Sequence, residues 1–301
     1  MKLHQLRYLV SVADNDLNIT AAAKALHTSQ PGVSKQLKML EDELGFRIFV
    51  REIGNIRGLA AELRKDQDGS LSIATTHTQA RYVLPPILRR FRRKFPGVRV
   101  HLHQGTSEQI ADMVAHERID FVVATGADPL FEELVRIPVY RWRRAIVVPT
   151  AHPLARIAKP TFAQLGQHPI ITYAFSFTGP SSLLELFAKA GVTPDIALTA
   201  GDADVIKEYI RSGFGVGVLA DIAVRPEDDD LRVIDAAHLF PAHTTWIGFQ
   251  RGALLRSYMY EFMQLLGAHL QKRQIQAIEQ AGSQEAVDKA MAGVEIPFLR
   301  P

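Results

Sequence analysis

The chain has 301 residues, of which 47% are hydrophobic and 22% charged, and this is typical of a globular protein with more than one hydrophobic core. It contains no cysteine, which excludes disulfides, thiolate metal sites and cysteine nucleophiles. No apolar run approaches the roughly 18 residues that a membrane span needs, and residues 1–7 have no signal-peptide pattern. We therefore expect a cytoplasmic protein with no membrane partner. The net charge of +3 permits nucleic-acid binding without requiring it.

Three short helices separated by polar turns are predicted in the first 50 residues. The first has an apolar face of Leu3, Leu6, Leu9 and Val10. The second covers residues 19–26 and is rich in alanine. The third runs from about residue 30 to residue 44 and ends at glycine 45. An all-α N-terminal domain follows from this pattern.

From residue 69 the pattern changes to alternating strands and helices, which predicts an α/β domain with a mostly parallel sheet. The predicted strands are residues 71–74, 98–103 and 120–124. The pattern restarts near residue 144, with strands at 145–148, 196–199, 217–220 and 244–249 and a closing helix at 257–270. Two similar α/β units in tandem indicate a bilobed receptor with a cleft between its lobes.

The second and third helices have the spacing of a helix-turn-helix. Thr28 or Ser29 caps the third helix, and Pro31 suits its first turn because no hydrogen-bond donor is lost there. The buried stripe is predicted to be Val33, Leu37 and Leu40. The exposed residues are then Gln30, Ser34, Lys35 and Lys38. Such side chains contact base edges and phosphates, although an ordinary solvated face on a helical bundle has the same pattern.

Residues 28–37 (TSQPGVSKQL) and 40–49 (LEDELGFRIF) resemble the signature of the LysR-type regulators, and the resemblance extends over nearly the whole chain. It implies a winged helix-turn-helix joined to a bilobed effector domain like the periplasmic binding proteins. It also implies that the residues at positions 30, 31, 34 and 35 enter the major groove. The expected DNA-binding set is Thr28, Ser29, Gln30, Pro31, Ser34, Lys35, Lys38 and Arg51.

Three further segments resemble the CysB/Cbl-like branch of that family, whose members regulate sulfur assimilation. They are residues 73–82 (IATTHTQARY), 202–207 (DADVIK) and 255–260 (LRSYMY). The resemblance implies promoter DNA as a partner, self-association as a dimer of dimers, contact with RNA polymerase, and no enzymatic activity. A small-molecule effector is implied in place of a cofactor.

The resemblance divides the chain into five parts. They are residues 1–52 (helix-turn-helix domain), 53–68 (truncated linker helix), 69–141 with 244–271 (effector lobe I), 142–243 (effector lobe II) and 272–301 (a polar, helix-prone tail with no assigned role). The family's wing and long linker helix should follow Arg51, yet some two dozen residues are absent there. We interpret the join at residues 51–53 as an unrecorded segment, which an intact mass of 33.5 kDa would refute.

A candidate anion site lies at the carboxyl end of the first strand, where residues 75–79 open the following helix. Ligands of open α/β sheets bind at such ends, and free backbone N–H groups with the positive helix end attract anions. Thr125 after the 120–124 strand and the loop at residues 177–182 are similar positions. Helix capping alone also explains these threonines.

The family resemblance implies that six residues, most of them at these positions, bind sulfate or a related effector. They are Thr76, Thr78, Gln79, Thr125, Trp142 and Thr178. No arginine is required, because neutral dipoles hold a small dianion in a closed cleft. The effectors compatible with the resemblance are O-acetylserine or N-acetylserine, sulfate, thiosulfate and adenosine phosphosulfate.

Other motifs have simpler explanations. The glycines at 213, 215 and 217 follow a helix and precede a strand, the reverse of a dinucleotide-binding loop. His101 and His103 lack a third metal ligand, so we predict no metal site. No catalytic constellation is evident, which argues against an enzyme on the same fold. The remaining alternative is a bilobed solute-binding receptor for a small anion, which the helix-turn-helix disfavours.

Overall fold

The computed structural model describes residues 3–15, 18–44, 69–116, 119–126, 128–177 and 182–299. It divides into an N-terminal unit, residues 1–66, and a larger unit, residues 67–301. The N-terminal unit contains helices α1 (Leu3–Asp14), α2 (Ile19–Ala25) and α3 (Gln30–Leu44). None of the helices described is long and apolar enough to cross a membrane.

The three helices enclose a small core in which Val12, Ala22, Ala23, Val33 and Leu37 are buried. The predicted stripe of α3 is confirmed, since Leu40 is buried as well. The prediction for Val10 is wrong, because its side chain is 57% exposed. Val10 precedes the buried Val12 by two residues, which places it nearly opposite on a helix of 3.6 residues per turn.

Lobe I of the larger unit is built on strands β1 (Gly69–Thr75), β2 (Val98–Gln104), β3 (Phe121–Thr125), β4 (Leu134–Trp142) and β10 (His243–Gln250). Their order is β2-β1-β3-β10-β4. A π-helix (Gln79–Val83) leads into α4 (Leu84–Lys94), and α5 (Ser107–His116) and α9 (Ser257–Leu266) complete the lobe. Phe262 of α9 packs between Phe91 of α4 and Phe121 of β3.

Lobe II is built on strands β5 (Arg144–Pro149), β6 (Ile170–Tyr173), β7 (Ile196–Ala200), β8 (Val216–Ala220) and β9 (Leu231–Asp235). Their order is β7-β6-β8-β5-β9. Helices α6 (Phe162–Leu165), α7 (Leu183–Lys189) and α8 (Ala203–Arg211) pack beside this sheet. The two-lobed α/β architecture is therefore confirmed.

The expectation of mostly parallel sheets is wrong. In each sheet two strand pairings are parallel and two are antiparallel. The reason is that the chain crosses between lobes twice, from β4 into β5 and from β9 into β10. The strand that returns to lobe I, β10, inserts antiparallel between β3 and β4.

Residues 272–299 are part of lobe I rather than a free tail. Helices α10 (Lys272–Ala281) and α11 (Gln284–Met291) bury Ile275, Ile278 and Val287 in its core. Farther on, the chain pairs with β4 at Arg141, whose N–H donates to the carbonyl of Pro297 over 2.8 Å. The C-terminal segment therefore pairs with β4, the last strand of lobe I before the chain crosses to lobe II.

Candidate effector cleft and DNA-reading helix

The polar cluster at the cleft lies where three strands of lobe I present residues at one edge. Thr76 follows β1 and Thr125 ends β3, two parallel neighbours whose carboxyl ends share an edge of the sheet. Thr245 of the antiparallel strand β10 lies directly opposite Thr125. The structure therefore places two of the predicted strand-end residues, Thr76 and Thr125, at one edge of the sheet.

Thr125 is the centre of a hydrogen-bond network. Its Oγ1 lies 2.7 Å from the hydroxyl of Thr245, and it accepts from Trp142 Nε1 over 3.2 Å and from Gln79 Nε2 over 3.4 Å. Gln79 also accepts from the Tyr140 hydroxyl over 2.6 Å. Burial raises the pKa of Tyr140, so this phenol remains a neutral donor. The network fixes Gln79, Thr125 and Trp142 in one geometry.

Lobe II contributes a tyrosine and an arginine that the sequence interpretation missed. Tyr173 is buried, accepts a hydrogen bond from the N–H of Ala220 and bonds to the side chain of Thr78 across the cleft. Burial raises its pKa to about 12, against the opposing effect of the Thr78 hydroxyl. Thr78, another of the predicted effector residues, therefore contacts lobe II.

Arg144 begins β5 beside Ala220 and is only 6% exposed. Burial lowers its pKa to about 10, and the neighbouring Tyr173 partly opposes the shift. The guanidinium is therefore still charged at neutral pH. A positive charge kept in a desolvated place beside polar groups attracts an anion strongly. The sequence signal for it is an arginine at the first position of an otherwise apolar strand.

His243 lies against Trp142 with ring centroids 4.6 Å apart and planes 25° apart. Burial, together with the charge of Arg144, lowers the pKa of His243 to about 4. Its Nε2 is buried and makes no hydrogen bond within the described part of the chain. At neutral pH the cleft therefore holds a neutral imidazole with an unused polar atom.

The His243 shift predicts acid-sensitive stability. The pKa of His243 is about 4 in the folded state and near 6.5 in the unfolded state, so as the pH falls the unfolded chain binds a proton at His243 before the folded chain does. Stability is therefore lost between pH 6.5 and 4, by about 2.5 kcal/mol at pH 4.5. We expect His243→Phe to remove this loss in urea unfolding curves. His116→Phe, at an exposed histidine, should keep the full loss, and equal acid sensitivity of all three chains would contradict the assignment.

The predicted DNA-reading helix, α3, starts with a cap from Ser29, whose Oγ accepts the N–H of Gly32 over 3.2 Å. Gln30, Pro31, Lys35 and Lys38 are exposed on it. Thr28 and Ser34 are half-buried, and Ser34 Oγ lies 3.4 Å from Gln30 Nε2. The exposed face thus carries amide and ammonium groups above a packed stripe.

Two predicted residues, Arg51 and Thr178, lie outside the residues that the structure describes, as does the join at residues 51–53. Of the glycine motif, Gly213 (φ 73°) and Gly215 lie in the predicted turn between α8 and β8, whereas Gly217 lies in β8 itself. His103 hydrogen-bonds to the hydroxyl of Ser72 over 3.2 Å.

A helix-turn-helix unit joined to a bilobed α/β unit with a polar cleft defines a DNA-binding regulator. Residues 3–58 match the bacterial regulatory helix-turn-helix proteins of the lysR family, and residues 64–271 match the LysR substrate binding domain. The chain belongs to the LysR family. It is therefore a transcription regulator, and the enzyme and solute-receptor interpretations no longer apply.

Individual members of the LysR family show which relatives this chain is similar to. It is 43% identical to the HTH-type transcriptional regulator CysB of Haemophilus influenzae, covering 98% of this chain and 99% of that protein. It is 38% identical to the regulator cbl of Escherichia coli, covering 96% and 99%. The structure of the cofactor-binding domain of Cbl matches with a TM-score of 0.65 at 40% identity, over 70% of this chain and 93% of that one. The CysB alignment spans 320 positions, more than this chain has residues, so that relative carries residues that this chain lacks.

Proposed function

We propose that this regulator controls genes of sulfur assimilation, in sulfonate or cysteine metabolism, by sensing a small sulfur-pathway effector in the cleft between its lobes. The candidates are sulfate, thiosulfate and the acetylserines. The observation that carries the proposal is the polar network on Thr125 in lobe I, together with the buried Arg144 at the start of β5 in lobe II. The relatives named CysB, cbl and SsuR support the choice of pathway.

The composition of the cleft favours a small anion over a neutral or cationic ligand. Its lobe I side supplies neutral hydrogen-bonding groups, and Arg144 on the lobe II side supplies a charge that water does not screen. The buried Nε2 of His243 gains a partner if the effector offers one, which offsets the cost of leaving a polar atom unpaired. Thr76, Thr78, Gln79, Thr125, Trp142 and Thr178 remain the proposed effector set, now extended by Arg144.

In this proposal α3 of each chain reads promoter DNA, and Thr28, Ser29, Gln30, Pro31, Ser34, Lys35, Lys38 and Arg51 form the DNA-binding set. The chain acts as a dimer of dimers in the cytoplasm and contacts RNA polymerase. Effector binding changes the assembly to the extent that it favours one lobe arrangement over another. A ligand that binds both lobe arrangements with equal affinity does not shift the equilibrium between them.

The proposal is tested by calorimetry of the full chain with sulfate, thiosulfate, O-acetylserine and N-acetylserine. We expect one of them to bind and Thr125→Val to weaken that binding about tenfold or more, because Trp142 and Gln79 lose their common acceptor. Affinity for DNA should stay unchanged.

Thr244→Val is the matched control, since Thr244 is the exposed neighbour of Thr245 on β10 and points to the opposite face. It should bind the effector like the unaltered chain. Failure of all four compounds to bind, or equal losses in both variants, would refute the proposal.

A further inference from the structure

The π-helix that follows the effector loop contacts both lobes. Its first residue, Gln79, belongs to the network on Thr125. Two and three residues later, Arg81 and Tyr82 both bind Asp204 of lobe II. The Tyr82 hydroxyl donates to Asp204 Oδ1 over 2.6 Å, and the Arg81 guanidinium forms an ion pair with Oδ2. One short segment therefore links the cleft to the opposite lobe.

Asp204 is itself held in place within lobe II. It lies in the first turn of α8, and its carboxylate is 3.1 Å from the ammonium of Lys207. Lys207 is 5% exposed and also pairs with Asp228 over 2.8 Å, which in turn pairs with Arg211. Burial alone would raise the pKa of Asp204, but its bonds with Tyr82 and Lys207 outweigh this and lower it. The carboxylate is thus a fixed, ionised group.

A second contact crosses between the lobes at the same place. Arg225 of lobe II donates from Nη2 to the backbone carbonyl of Arg81 over 2.9 Å. Its guanidinium lies 5.1 Å from the centre of the Tyr82 ring, and Lys207 lies 5.4 Å from it. The π-helical turn is therefore bound to lobe II through a carboxylate, a backbone carbonyl and a ring face.

The geometry points to Asp204 as a positioning residue for the effector site. Through its bonds to Tyr82 and Arg81, Asp204 holds the π-helix in the hydrogen-bonding register that directs the Gln79 side chain to Thr125. This rests on the proposed function of the cleft. A π-helical turn carries one residue more than an α-helical turn, so its return to α-helical bonding would rotate Gln79 relative to α4. Removing the bonds to Asp204 therefore disturbs Gln79 and loosens the closure of the lobes together.

The test uses the full chain with two variants that weaken these bonds without removing bulk. Asp204→Asn deletes the charge, and Tyr82→Phe deletes one hydroxyl. We expect the affinity for the bound effector to fall about tenfold in the first and about threefold in the second, although neither residue belongs to the effector set. Glu185→Gln, which breaks the exposed pair with Lys189 in lobe II, is the control and should leave affinity unchanged.

Lobe closure is measured separately with no effector present. Because the chain has no cysteine, Glu133→Cys in lobe I and Lys159→Cys in lobe II give two unique labelling sites for spin-label distances. We expect a broader distance distribution in Asp204→Asn and Tyr82→Phe than in Glu185→Gln. A merely stabilising role for Asp204 would lower the melting temperature without changing this distribution.

The outcomes separate the two proposals. If the unaltered chain binds an effector while both variants keep its affinity and the distance distribution, the positioning role of Asp204 is refuted and the proposed function stands. If the unaltered chain binds none of the four compounds, both are refuted. Should Asp204→Asn not fold, Tyr82→Phe decides by itself, because it removes only an oxygen atom.

Discussion

Replacing Lys35 with glutamate is expected to reduce specific DNA affinity at least about 100-fold while leaving the fold intact. Lys35 is exposed on α3, beside the buried Val33 and Leu37 that hold the helix in place. Reversing its charge replaces an attraction to phosphate or to a base edge with repulsion in every protomer of the assembly. Thermal unfolding should not change, because no packed group is altered.

The measurement is a fluorescence anisotropy titration with a labelled duplex at several salt concentrations. Lys159→Glu makes the same charge change in lobe II, where Lys159 is also exposed, and it should bind DNA like the unaltered chain. The salt dependence of binding should be shallower for Lys35→Met, by about one unit for each DNA phosphate that the lysine neutralises. Similar losses of affinity for both charge reversals would indicate a general electrostatic effect instead of a DNA-reading helix.

Replacing Arg144 with glutamine is the second substitution with a large expected effect. It should weaken effector binding by about 10- to 100-fold. The guanidinium is almost fully buried, and charge-assisted hydrogen bonds to an anion are worth about 1.5–3 kcal/mol. Arg144→Lys should recover part of the affinity, because it keeps the charge but not the planar fork. Because Arg144 also lowers the pKa of His243, that pKa should rise in Arg144→Gln when followed by NMR.

Arg143→Gln provides the control at the adjacent position. The Arg143 guanidinium lies 4.0 Å from the centre of the Phe298 ring, which belongs to the C-terminal segment. Calorimetry should therefore give this variant unaltered effector affinity. If Arg143→Gln loses as much affinity as Arg144→Gln, or if neither loses any, the role of Arg144 as the anion-binding charge is wrong.

Local signals predicted the helices of the N-terminal unit well. The residues at 28–31 combine a capping side chain with an early proline, and the observed helix α3 has the predicted bounds. Strand β4 was not predicted, although it carries Tyr140 and Trp142. Pro138 interrupts its sequence, and proline argues against a strand interior. The structure accommodates Pro138 opposite Trp246, where the pairing register of β10 shifts.

The composition of the cleft was predicted only in part. Strand-end threonines follow from the rule that ligands bind at the carboxyl ends of strands, but Arg144 lies on the opposite lobe at the start of a strand. The expectation that neutral dipoles suffice without an arginine stays a prediction, and our proposal adds the buried Arg144 to the effector set. The contacts of Asp204 with Arg81 and Tyr82 join residues more than 120 positions apart. Only the packing of the two lobes brings them together.

The central claim is that the chain binds specific DNA and that a small anion bound in the cleft changes how it does so. The direct test is to select duplexes from a randomised pool with the full chain and then to footprint the selected DNA with and without sulfate, thiosulfate and the two acetylserines. We expect enrichment of a two-fold repeated sequence, and a footprint that one of these compounds changes in the unaltered chain but not in Arg144→Gln. No enriched sequence, or a footprint that none of the four compounds alters, would contradict the account.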